Sequence, residues 1–129
     1  MSGKTIMGPG DIIIKDTEIL IGLMERRFSP LLVQIISSVA RKYGLVVTES
    51  YRKKLHRTDL HGTQPVRAID LRSWCYTDSQ AQEINHEINR KWEYDPDRPD
   101  KKCAIIHRAG TGAIHFHIQV HPHTRRRAI

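Results

Sequence analysis

A proline-initiated amphipathic helix running straight into a β-branched segment, a second capped helix, and a late glycine-centred hairpin predict a small α+β domain. Its mainly antiparallel sheet packs on two helices. The length agrees, since 129 residues make a single domain spanning 1–129 and leave no room for an ordinary second one. With 39% hydrophobic residues the chain has enough apolar surface to bury a core.

Each element has a local reason. Ser29 and Pro30 supply an N-cap and a first-turn proline, after which Leu31, Leu32, Ile35, Ile36, Val39, Ala40 and Tyr43 fall at helical spacing and Gly44 stops the run. Residues 45–51 (LVVTESY) are β-branched and aromatic, which predicts a strand. A polar, basic loop follows over 53–65, and residues 66–72 (VRAIDLR) predict a second strand. Thr77 and Gln80 have capping-box spacing ahead of a helix carrying Ala81, Ile84, Ile88 and Trp92 on one face. Residues 95–100 (DPDRPD) break it. Segments 103–108 and 113–120 then flank Ala-Gly-Thr-Gly, giving the order α, β, β, α, β, β.

Charge narrows the partner. Lys and Arg number 21 against 14 Asp and Glu, and the resulting +7 favours an anionic partner such as nucleic acid, acidic lipid or bacterial cell-wall polymer. Part of the excess, Arg125, Arg126 and Arg127, reads as a solvated basic tail over 124–129. The longest apolar runs, at 12–14 and 31–33, fall far below the roughly 20 residues that cross a bilayer, so no membrane span is expected. Residues 1–10 lack the pattern of a secretory signal, which suits a protein made in the cytoplasm. Cys75 and Cys103 form no C-x-x-C pair and are expected as reduced, partly buried thiols.

The chemistry concentrates near the C-terminus. Four of eight histidines, His115, His117, His121 and His123, lie within nine residues. On a strand, His115, His117, Gln119 and His121 would share one face while Ile114, Phe116, Ile118 and Val120 enter the core. The alternative is an ordinary solvent-exposed polar face. Asp70 adds weight, because a carboxylate inside an apolar strand must be paired, to Arg52, Arg67 or Arg72, or must bind metal. His61 stands nine positions before it, in a loop able to fold back over the strand. Two histidines and a carboxylate form a familiar catalytic zinc set with one position open.

The succession of Thr-Glu-Ser-Tyr-Arg (48–52), His61 with Arg-Ala-Ile-Asp (67–70), and His115-Phe-His117 resembles the zinc peptidases of bacterial cell walls. These are the D-Ala-D-Ala carboxypeptidase and dipeptidase group and the L-alanyl-D-glutamate endopeptidases of phage lysis, which share a fold with hedgehog signalling domains. The likeness covers residues 45–121. It implies a hedgehog-like fold and Zn2+ held by His61, Asp70 and His117, with Arg52 facing the scissile carbonyl or the substrate carboxylate. The implied substrate is a peptidoglycan stem peptide or cross-link, cut by a phage or prophage lysis enzyme that reaches the wall once released. The family usually spaces its His and Asp by seven positions rather than nine, so residues 62–66 would accommodate the insertion, and Thr58 replaces the usual Ser. Ile114 stands where one branch carries a glutamate base, so His115 would take the proton from the attacking water.

Two other classes compete. One is a non-catalytic module of the same fold that binds zinc or cell-wall polymer. The other is a single-strand DNA nickase of His-hydrophobic-His type, with Tyr51, Tyr76 or Tyr94 as nucleophile, though it makes no use of His61 with Asp70, and no specific nucleic acid is expected. His56, His86 and His107 read as surface or loop histidines. His121 and His123 read as following the strand into the Pro122 turn rather than as an outer shell of the site, and Trp74 and Tyr76 as core or rim residues rather than groove lining.

Overall fold

The computed structural model describes residues 8–25, 27–49, 65–72, 76–108 and 114–128. Its elements run β1 (Ile12–Ile14), α1 (Thr17–Glu25), α2 (Pro30–Tyr43), β2 (Leu45–Glu49), β3 (Ala68–Arg72), α3 (Asp78–Lys91), β4 (Trp92–Glu93), β5 (Ala104–Arg108), β6 (Ile114–Gln119) and β7 (Arg125–Arg126). A five-stranded sheet has the order β1-β2-β3-β6-β5, and β4 pairs with β7 in a separate two-stranded ladder. All pairings are antiparallel except that of β1 with β2. The α+β class and mainly antiparallel sheet therefore hold, but three helices stand where two are expected.

The extra helix has a local cause. Asp16 accepts the Ile19 amide on Oδ1 at 3.0 Å, which is an N-cap, and Ile19 is buried with Leu23 packed one turn on. The short isoleucine run before it forms β1 on the sheet edge. At the expected helices, Pro30 starts α2 although Ser29 makes no side-chain cap bond. At α3 the capping box is complete, with Thr77 N donating to Gln80 Oε1 at 3.0 Å and Gln80 N to Thr77 Oγ1 at 3.1 Å. Gly44 ends α2 at φ 78°, where a Cβ would lie 2.5 Å from the Gly8 carbonyl oxygen, so glycine alone fits.

The core lies between the helices and one face of the sheet. Leu32, Ile35 and Val39 of α2 and Ala81, Ile84 and Ile88 of α3 pack against Ile69, Leu71, Ala104, Phe116 and Ile118. Phe116, Ile118 and Val120 are fully buried, as strand alternation requires. Tyr76 is also core, its hydroxyl donating to the Gly44 carbonyl at 2.9 Å. The outer strand β5 is guarded by α3: Asn89 donates Nδ2 to the Ala104 carbonyl at 2.9 Å and accepts the Ala104 amide on Oδ1 at 3.0 Å.

Arg125, Arg126 and Arg127 keep exposed side chains but are not a free tail. Their backbone is tied to β4 and to Lys91, and Arg125 pairs with Glu93 at 2.8 Å. Cys103 is a buried free thiol, and Cys75 lies outside the described residues. Among the described residues, no helix is long and apolar enough to cross a membrane.

Candidate metal centre

The sheet face turned away from the helices carries the polar residues. Antiparallel register sets Asp70 of β3 directly opposite His117 of β6, with Ala68 opposite Gln119 and Arg72 opposite His115. Residues directly opposite one another share a face, so Asp70, His117 and Gln119 project together. Between Val47 and Glu49 the β2–β3 register shifts, and the Thr48 hydroxyl donates to the Asp70 carbonyl at 3.3 Å. A bulge thus sits beside Asp70.

Hydrogen-bond chemistry then fixes the histidine. Gln119 donates Nε2 to the Lys102 carbonyl at 2.8 Å, which orients its amide and leaves Oε1 as an acceptor. That oxygen lies 3.0 Å from His117 Nε2, so this ring nitrogen carries the proton and donates. The other nitrogen, Nδ1, lies 3.0 Å from Asp70 Oδ1. Two acceptors at that distance need a cation between them, either a proton or a metal ion. A histidine whose far N–H is held by a carbonyl oxygen while its near nitrogen faces a carboxylate is the usual arrangement of a metal ligand. Asp70 and Gln119 are buried, and His117 with Gln119 opens onto a cavity of about 540 Å³ lined by Asp100, Lys101, Lys102 and Ile105.

The structure therefore brings together two of the sequence-predicted residues, Asp70 and His117. His61 and Arg52 lie outside the described residues. His115 has its backbone in β6 opposite Arg72 and His107, and its side chain is likewise outside the described part. His86 is exposed on α3, as expected, and His56 and Trp74 fall outside the described residues. Gln119 is the contribution sequence reasoning missed. Its place on the imidazole face is legible from the alternation, but its hydrogen-bonding role depends on where Lys102 passes.

A second donor set lies at the turn beyond β6. Asp95, His121 and His123 each bring one ligand atom within 4.8 Å of the others and can hold a metal ion. Both histidines do follow the strand into the Pro122 turn, as expected, and there they meet Asp95, which the sequence marks only as a helix breaker. The Asp97 amide, and then the Arg98 guanidinium, hold the Asp95 carboxyl below its ordinary range against the opposing effect of burial. Burial lowers the pKa of His121, with the nearby Asp95 charge acting the other way. Both shifts favour the forms that bind metal, carboxylate and neutral imidazole.

No protein-family model, curated protein or solved structure matches this chain.

Proposed function

We propose that this protein is a zinc-dependent peptidase that hydrolyses peptide bonds of bacterial peptidoglycan, as a lysis enzyme of phage or prophage type. The observation that carries this reading is the Asp70 carboxylate 3.0 Å from Nδ1 of a Gln119-oriented His117 beside an open cavity. His61 would complete the donor set. Bound there, zinc would polarise the scissile carbonyl and make water nucleophilic at neutral pH. His115 takes the proton from the attacking water, and Arg52 stabilises the oxyanion that develops. The +7 charge draws the protein to anionic wall polymer. The substrate class rests on the sequence resemblance, and the metal on the donor geometry.

The test is digestion of purified peptidoglycan by the zinc-loaded full chain, with released peptides identified by mass spectrometry. New peptide termini are expected, and Asp70→Asn should abolish them. A chain that holds zinc at Asp70 and His117 yet releases nothing would be the non-catalytic module instead, and cleavage of single-stranded DNA in a parallel reaction would favour the nickase.

A further inference from the structure

The turn after β6 is held from several sides. The His121 amide donates to Thr124 Oγ1 at 2.8 Å, the Thr124 amide to the His121 carbonyl at 2.9 Å, and the Thr124 hydroxyl to the Tyr94 carbonyl at 2.7 Å. Pairing of β7 with β4 fixes the next residues. Because Asp95 follows Tyr94, the bonds that anchor this turn also bring both histidines to the carboxylate. Asp95 is itself immobilised: Oδ1 accepts the Asp97 amide at 3.0 Å, and Oδ2 accepts Arg98 Nε at 3.0 Å.

His121 Nδ1 consequently lies 3.7 Å from Asp95 Oδ2, and His123 Nδ1 lies 3.9 Å from Asp95 Oδ1. A tetrahedral ion with bonds of about 2.0–2.1 Å separates its donors by roughly 3.3–3.4 Å. The two gaps, each to a different oxygen of Asp95, are about 0.3–0.6 Å too wide, and the three donor atoms all lie within 4.8 Å of one another. The His123 side chain, 65% exposed, can close the wider gap by a small ring movement, and the narrower one needs a smaller turn of His121. His121 Nδ1 also accepts the His123 amide at 3.1 Å, so it carries a lone pair rather than a proton. Metal uptake at this nitrogen would exchange that bond for a coordinate one, and the exposed His123 amide can turn to water. Arg98 remains on the carboxylate as an outer partner that orients it.

We propose that Asp95, His121 and His123 form a second metal site, which clips the segment after β6 to the loop after β4. Two imidazoles and one carboxylate suit a borderline divalent ion such as zinc better than calcium or magnesium, which prefer all-oxygen sets. The site shares no residue with Asp70 and His117. Its donors come from segments that only folding brings together, so the ion binds the folded chain and stabilises it by mass action.

The experiment uses the full chain with Zn2+ as the only added ligand, reading bound zinc per chain after dialysis and the zinc-induced rise in melting temperature. In a background of Asp70→Asn with His117→Ala, one ion per chain and a melting rise should persist. Adding His123→Ala, which removes an exposed side chain, should weaken that binding at least about tenfold and abolish the rise, and Asp95→Asn should do the same. If the double background fails to fold, His123→Ala alone should lower the zinc count of the otherwise native chain by one. Zinc binding unchanged by both His123→Ala and Asp95→Asn would overturn the proposal, as would a folded background that binds no zinc. Loss of peptidoglycan cleavage alone, with this zinc retained, would count against the peptidase and not against this site.

Discussion

Gln119→Ala tests whether the orientation of His117 is built in. Gln119 is buried and makes two bonds at once, accepting from His117 Nε2 at 3.0 Å and donating to the Lys102 carbonyl at 2.8 Å. Removing it leaves the imidazole free to turn and to carry its proton on Nδ1, the nitrogen that faces Asp70. Loss of such an outer partner typically costs 10–100-fold in metal affinity, or about 1.4–2.7 kcal/mol. The metal-free fold loses two hydrogen bonds at about 0.5–1.5 kcal/mol each. Water from the adjoining cavity replaces part of that, so a net loss of about 1–2 kcal/mol is expected, a fall of roughly 3–8 °C in Tm. Competition against a chromophoric chelator gives the zinc affinity, read in the His123→Ala background so that only one site reports. Gln119→Glu keeps the acceptor for His117 and should bind more tightly than Gln119→Ala. If Gln119→Ala binds zinc within about twofold of its parent while Asp70→Asn loses it, Gln119 does not orient the ligand.

Three further outcomes are expected. Gly44→Ala forces a positive φ and a clash with the Gly8 carbonyl, which should cost about 2–3 kcal/mol and roughly 6–15 °C in Tm; a melt within about 2 °C of the parent would show that the 8–11 segment simply moves aside. Burial pushes the Cys103 thiol up to about 12, so in a Cys75→Ser background a thiol reagent at neutral pH should label nothing until denaturant is added. Asp95 has a folded-state pKa below its ordinary 3.8, so the stabilisation it contributes is complete above that value and is lost as pH falls through and below it. In chelator, the Tm difference between the parent and Asp95→Asn should be largest near about pH 5 and should shrink below about pH 4; a difference that grows with acid would reverse the sign of the coupling.

The sequence by itself determined what adjacent residues control. The stripe from Leu31 to Tyr43, the Thr77 and Gln80 box, the burial of Phe116, Ile118 and Val120, and the opposite projection of His117 and Gln119 all follow from periods of 3.6 or 2, which are properties of a few neighbouring residues. Asp70 was legible as the carboxylate to watch because a charge in an apolar strand demands a partner. The same local signals were present for α1, where Asp16 caps and Ile19 buries, but the helix is short and three of its five large apolar residues, Leu20, Ile21 and Met24, are exposed, so its stripe is weak. Tertiary structure decided the pairings. Asp70 meets His117 across 47 residues because the β3–β6 register sets them opposite, and a slip of one residue would turn His117 to the other face. Asp95 meets His121 and His123 only because Thr124 bonds to Tyr94 and β7 pairs with β4, so a helix breaker becomes a ligand through contacts that no local pattern encodes.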